Sequence, residues 1–211
     1  MERKRTGILV FDDVEVLDFC GPFEVFAVAR REEAKRREEP SPFDVFLVAE
    51  RAEAIVTAGG MKVLAACGFD DCPPLDILVV PGGWGTRRAM GNERLIGWIA
   101  GRAPEVEILA SVCTGALLLG RAGLLDGKRA TTHWRSLDWM AELFPTTRVE
   151  RQLHFVEEGR LFTSAGISAG IDMTLRIVAR VCGQAVARAA ARQMEYPFPE
   201  SDSRRIALPP P

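Results

Sequence analysis

The sequence predicts an α/β fold, a mostly parallel central sheet with helices on both faces and a small added hairpin. Three observations predict it. Residues 7–11 are a short, continuous apolar run and 75–80 and 106–112 are largely apolar, the pattern of strands buried on both faces. Stretches with helical spacing of apolar residues alternate with them, as parallel pairing requires. A length of 211 residues with 47% hydrophobic content suits one domain over 1–211, with tails at 1–5 and 197–211.

Taken in order, residues 7–11 form the first strand and Asp12-Asp13 turns the chain. A helix follows with Pro22 in its first turn, where a missing N–H costs nothing, and with Phe23, Phe26 and Ala27 on its apolar face. It runs on into residues 30–39, whose alternating charges read as a solvated helix end. Pro40-Ser41-Pro42 breaks the chain before a second strand at 43–48. Residues 54–57 and 61–64 form a hairpin around Ala58-Gly59-Gly60. The strand at 75–80 ends in Pro81-Gly82-Gly83-Trp84-Gly85, and 92–103 is an amphipathic helix stopped by Pro104. Strand 106–112 and helix 114–122 come next, then a helix at 136–144 and a hairpin-like pair at 149–155 and 161–164. Helices 171–181 and 184–194 flank Gly183, Tyr196-Pro197-Phe198-Pro199 ends regular structure, and Pro209-Pro210-Pro211 is expected to be disordered or pinned to a neighbour.

A net charge of −2 gives no pull toward nucleic acid or an anionic membrane surface. The basic start, Met1 to Arg5, is not followed by a signal-peptide core, and no apolar run approaches the roughly 20 residues of a membrane span. The expectation is a soluble, cytoplasmic protein. Five cysteines, an odd number with no C-x-x-C spacing, argue against a disulfide framework, and two histidines argue against structural zinc. Neither G-x-G-x-x-G nor a P-loop lysine is present, so no nucleotide site and no cofactor is expected.

The chemistry centres on Cys113. The strand at 106–112 runs into the helix at 114–122 with almost no loop, so Cys113 sits on a sharp strand-to-helix turn, the geometry of a nucleophile elbow. The adjoining helix N-terminus favours thiolate; a buried core cysteine is the other reading. Asp18 lies among apolar residues just past a strand end, where open α/β sheets place their chemistry, although a turn or capping carboxylate fits the local pattern too. Gly82 and Gly83 permit close backbone approach, and their N–H groups, with that of Thr114, could stabilise an anion. His133 follows the elbow helix by one short crossover, so its ring could return near Cys113. Trp84 and Trp134 could wall an apolar pocket, and the small residues around Gly166 and Ile167 allow close approach of a ligand or of the elbow helix. His154 reads as an ordinary strand residue.

Leu17-Asp18-Phe19-Cys20-Gly21-Pro22, Val80-Pro81-Gly82-Gly83, Ser111-Val112-Cys113-Thr114-Gly115, Ala130-Thr131-Thr132-His133-Trp134, Ala165 to Asp172 and Gln193-Met194-Glu195-Tyr196 together resemble the ThiJ/PfpI superfamily. The likeness runs from Leu17 to Tyr196 and is greatest to its isonitrile-hydrating branch. It implies a flavodoxin-like three-layer sandwich, a homodimer, a small-molecule substrate, and a site made of Cys113, an acidic residue after the first strand (Asp18) and Thr114. The implied reaction is hydration of an isocyanide through a Cys113 thioimidate, with Asp18 as proton donor. Branches that act on small carbonyls commonly carry His after the nucleophile, where this chain has Thr114; class I glutamine amidotransferases use a late His-x-Glu pair, where this chain reads His154-Phe155-Val156. Regulators of the superfamily carry an appended helix-turn-helix; fewer than twenty residues follow Met194, so none is expected. A glyoxalase or deglycase, and a non-enzymatic redox or ligand sensor built on Cys113, stand as alternatives.

Overall fold

A computed structural model describes residues 3–208. Six strands form one sheet in the order β2-β1-β5-β6-β10-β9: β1 (Lys4–Leu9), β2 (Phe43–Val48), β5 (Ile77–Val80), β6 (Ile108–Val112), β9 (Phe155–Glu158) and β10 (Leu161–Ser164). The first five positions pair in parallel, and β9 closes the edge antiparallel to β10. The chain thus has the flavodoxin-like sandwich. On one side α1 (Val16–Val28), α6 (Ala169–Cys182) and α7 (Gln184–Gln193) pack on one another; on the other, α2 (Thr86–Ala89) and α3 (Glu93–Arg102) pack on α4 (Gly115–Arg121). Two layers bury every residue of β5 and β6, which is why those strands are apolar except for Ser111. The added hairpin is β3 (Ala54–Val56) with β4 (Lys62–Leu64). A two-residue parallel pair, β7 (Arg129–Ala130) and β8 (Arg148–Val149), brackets α5 (Leu137–Leu143).

Several expectations shift. The helix α1 begins at Val16, so Pro22 lies inside it rather than in its first turn. Pro22 denies the Asp18 carbonyl its helical donor, but packing against α6 holds the helix together: Gly21 leaves room for Ile171, and Gly170 lies beside the Pro22 ring. The charged run is not a helix end. The helix stops at Val28, and the run folds back so that Arg30 donates to the carbonyls of Ala27 and Ala29 (2.8 and 2.7 Å) and Arg36 to that of Val28 (2.8 Å). Those arginines satisfy carbonyls that a helix end leaves open. The strand expected at 149–155 is displaced to Phe155–Glu158, because Gly159, at φ 63°, makes the turn that sets the hairpin register.

The expected tails are also smaller. Lys4 and Arg5 belong to β1 and pair with Phe43 and Asp44. Residues 202–205 dock as a strap: the His154 N–H donates to the Asp202 carbonyl, the Arg204 N–H to that of Gln152, and the Arg205 guanidinium lies 2.9 Å from the Asp172 carboxylate. Pro209-Pro210-Pro211 lies outside the described residues. Among the described residues no helix is long and apolar enough to cross a membrane.

Candidate active site

The site lies at the carboxyl ends of β1, β5 and β6. Cys113 occupies the turn between β6 and α4 at φ 57°, a left-handed conformation that costs a non-glycine residue roughly 1–2 kcal/mol. Three bonds hold it there. Its N–H donates to the carbonyls of Ser164 and Ala165 (3.1 and 3.2 Å), and its own carbonyl accepts from Thr132 Oγ1 (2.8 Å). Gly115 is required at the next turn because a Cβ there would overlap the Val80 carbonyl.

Asp18 sits beneath the sulfur, fully buried in the first turn of α1 rather than in a loop. Its Oδ2 accepts the Gly82 N–H (3.0 Å), its Oδ1 has no well-formed partner, and the carboxyl lies within reach of the Cys113 thiol. Burial pushes its pKa up to about 8, against opposing contributions from Gly82 and Cys113 and with added repulsion from Glu15. At neutral pH the carboxyl therefore carries its proton. Burial, then the neighbouring Asp18 charge, drives the Cys113 thiol well above its usual range, while the Thr114 N–H and hydroxyl pull it down. This corrects the expected thiolate bias: the residue is only 6% exposed, and desolvation outweighs what the start of a short helix can offer. The two groups repel as anions, so at most one carries charge at a time.

The glycine N–H groups are not free for a ligand, as the sequence had suggested. Gly82 donates to Asp18 and Gly83 to Thr114 Oγ1 (3.0 Å). Thr114 Oγ1 also lies 2.9 Å from Thr86 Oγ1, which fixes its rotamer. Gly82 permits this packing, since a Cβ there would come within 2.5 Å of the Thr114 nitrogen.

Above the sulfur opens a pocket of about 150 Å³. Of the expected residues, Cys113, Thr114, His133, Gly83, Trp84 and Ile167 line it. Asp18, Gly82, Trp134 and Gly166 do not: Asp18 lies fully buried behind the sulfur, with Gly82 bonded to it. Trp134 belongs to a single 3-10 turn and lies beside the His133 ring, centroids 5.7 Å apart; Gly166 serves the site indirectly, because any Cβ would overlap that ring. Half-buried His133 has its pKa lowered by burial and then by the charges of Arg135 and Arg204, so its ring is neutral at pH 7. Glu15, Arg87, Arg135 and Ser136 also line the pocket and were not foreseen, although each lies within three residues of Asp18, Trp84 or His133. A second miss is His154, whose Nε2 lies 2.8 Å from the fully buried Asp172 carboxylate, just outside the strand where alternation alone had placed it. A larger cleft, about 450 Å³, opens beside β2 and α3; in it Asp12 accepts from the Val56 N–H and Asn92 donates to Glu50. Among the described residues no cluster of His, Cys, Asp and Glu could hold a metal ion.

Comparisons with known proteins agree with the fold. An isonitrile hydratase of Pseudomonas putida is 37% identical over 200 residues, 94% of this chain and 82% of that protein. The HTH-type transcriptional regulator GbdR of Pseudomonas aeruginosa is 33% identical over 151 residues, 71% of this chain but 41% of the regulator. Among solved structures, a ThiJ/PfpI family protein from Pseudomonas syringae superposes with a TM-score of 0.81 at 29% identity, over 96% of this chain and 79% of that one. Drosophila melanogaster DJ-1beta, at 18% identity and TM-score 0.76 over 93% of this chain and all of that one, shares the fold. Residues 4–180 match the DJ-1/PfpI family, a span that runs from β1 into α6 and takes in both the strained cysteine and the carboxyl below it; the chain belongs to that family.

Proposed function

We propose that this chain is an isonitrile hydratase, adding water to an isocyanide R–N≡C and releasing the N-substituted formamide R–NH–CHO. One observation carries the reading: a protonated carboxyl, Asp18, adjoins the Cys113 thiol at the floor of a small, largely apolar pocket. The terminal carbon of an isocyanide must receive one proton and one nucleophile, and this pair supplies one of each. As sulfur adds to that carbon, Asp18 gives its proton to the carbon and takes the proton of the thiol. The product is the thioimidate S–CH=N–R with Asp18 neutral again. Water then adds across the C=N bond, oxygen to carbon and hydrogen to nitrogen. Collapse of S–CH(OH)–NH–R breaks the carbon–sulfur bond, and the hydroxyl proton returns through Asp18 to sulfur. No oxidant or reductant enters.

The other residues set geometry. The Thr114 N–H, which already lowers the thiol pKa, steadies sulfur as it leaves. The neutral His133 ring borders the pocket and orients the attacking water. Leu17, Val56, Met61 and Leu64 are exposed on α1 and the β3–β4 hairpin, an apolar surface that supports pairing with a second copy; light scattering that finds only monomer would refute that.

The test is turnover of cyclohexyl isocyanide with the formamide detected directly by mass spectrometry. Product formation that disappears in a folded Cys113→Ala variant is expected. Turnover of methylglyoxal alone would replace this reading with a carbonyl-processing one. The match to a transcriptional regulator over 151 residues favours one second reading, a ligand-sensing domain; saturable isocyanide binding without any product would select it.

A further inference from the structure

The mouth of the Cys113 pocket carries uncompensated positive charge. Arg87 and Arg135 both line it, and among the described residues neither guanidinium makes an ion pair or a side-chain hydrogen bond. Their neighbours behave differently: Arg88 pairs with Asp13 at 3.0 Å and Arg151 with Asp138 at 2.6 Å. The two free guanidiniums are not loose either. Arg87 lies over the Trp84 ring at 4.6 Å and Arg135 over the Trp134 ring at 4.8 Å, so aromatic faces orient both without neutralising them.

A third cation stands behind them. Arg204 is half-buried, and its guanidinium donates to three neutral oxygens, those of Arg151 O, Thr131 Oγ1 and Thr132 O. Among the described residues the only acidic side chain in the pocket lining is Glu15. With Asp18 protonated and His133 neutral, the three arginines outnumber it and the field over the pocket is positive. The His133 pKa is lowered first by burial, and the charges of Arg135 and Arg204 add to that. Planar guanidinium forks match carboxylate geometry in a way that a diffuse charge does not.

We infer that the substrate is an isocyanide bearing an anionic group, a carboxylate on the far side of R, which Arg87 and Arg135 receive at the mouth while the isocyanide carbon reaches Cys113 at the floor. This rests on the hydratase reading and names its substrate class. The two residues are specificity-determining and touch no reacting atom.

The experiment compares 4-isocyanobenzoate with the uncharged 4-isocyanobenzamide, which share shape and reacting group. The acid is expected to have at least a tenfold higher kcat/KM at low ionic strength, falling as salt rises. In Arg87→Gln and Arg135→Gln the ratio of acid to amide drops at least tenfold in the double variant, and Arg135→Lys, which keeps charge without the fork, recovers part of it. Equal kcat/KM for acid and amide overturns the inference and leaves the hydratase intact. Should neither compound turn over, the hydratase reading fails by itself and calorimetry decides the anion site. Tighter binding of 4-formamidobenzoate than of 4-formamidobenzamide, lost in the double Gln variant, upholds it. Equal binding, or none, overturns it.

Discussion

Replacing Asp18 with Asn should stabilise the protein at neutral pH while abolishing turnover. Asp18 is fully buried, and its pKa rises from 3.8 to about 8 on folding. Because the folded value lies above the unfolded one, the neutral carboxyl contributes its full stability below about pH 3.8. That contribution is lost as pH rises toward 8, since the unfolded chain gains by ionising and the folded chain does not. At about 1.4 kcal/mol per pH unit, wild type loses about 3 kcal/mol from this group between pH 5 and pH 7. The Asn variant has nothing to ionise and loses none. It keeps an oxygen for the Gly82 N–H, bonded at 3.0 Å in the native chain, and puts its amide group where Oδ1 now lacks a well-formed partner. Urea unfolding of both proteins at pH 5, 6, 7 and 8 measures the gap. With a slope of roughly 2 kcal/mol per molar, the midpoints should separate by about a further 1.5 M between pH 5 and pH 7, and the gap should level off above pH 8. A gap that stays constant over that range would mean Asp18 ionises normally in the folded protein, and the proton donor of the proposed reaction would be gone.

Three more outcomes follow from the same site. For isocyanide hydration, kcat/KM should fall as pH rises through about 8, where Asp18 gives up its proton; a plateau extending past pH 9.5 contradicts the donor role. Thr132→Val removes the donor to the buried Cys113 carbonyl and should cost about 1–3 kcal/mol, whereas Thr132→Ser should cost little; equal melting temperatures for the two variants would show that this bond does not hold the elbow. Arg205→Ala removes the arginine paired with the fully buried Asp172 carboxylate, leaving it His154 and Tyr196, and should cost about 3 kcal/mol in urea unfolding, a loss that Asp172→Asn in the same chain should partly restore. No loss on Arg205→Ala would mean residues 202–205 merely rest on the surface.

How far the sequence could be read depended on what specifies each feature. Strand β2 emerged at 43–48 as expected, because Pro40 and Pro42 fence it on one side and its composition admits no helix. Helix α3 is bounded by Asn92, whose side chain accepts from the N–H groups of Arg94 and Leu95, and its limits followed from that cap. Pro22 misled because the rule that places proline in a first turn is local, while the α1–α6 packing that tolerates it depends on Gly21 and Gly170 lying 149 residues apart in sequence. At the site, Cys113, Thr114, His133 and Asp18 were legible because each sits where a strand or its crossover ends, and end positions show in the apolar pattern. Arg87 and Arg135 were not. An unpaired arginine and a paired one look alike in sequence, and only coordinates distinguish Arg87 from the Arg88 beside it. Trp134 failed for a related reason: on a single 3-10 turn, sequence spacing does not fix which way a ring points.

The two residues proposed to share the reacting proton are both held in costly native states. Cys113 is held at φ 57°, and Asp18 is a carboxyl sealed from water with a pKa about four units above normal. Neither arrangement arises by default. The Cys113 turn persists because Ser164, Ala165 and Thr132 fix it from three directions, and Asp18 persists because Gly82 anchors one oxygen while α1 packs on α6 around it. A fold that merely needed to fill these positions would relax them, with glycine at 113 to relieve the dihedral and asparagine or leucine at 18 to remove the ionisable group. Asp18→Asn should therefore raise stability at neutral pH, and Cys113→Gly should leave it within about 1 kcal/mol, since relief of the dihedral offsets the lost packing of a buried side chain; both should erase turnover. Substitutions that abolish the chemistry at two touching positions without weakening the fold, while a substitution at a neighbouring position such as Thr132 weakens it, would locate the site by energetics alone, without reference to any relative.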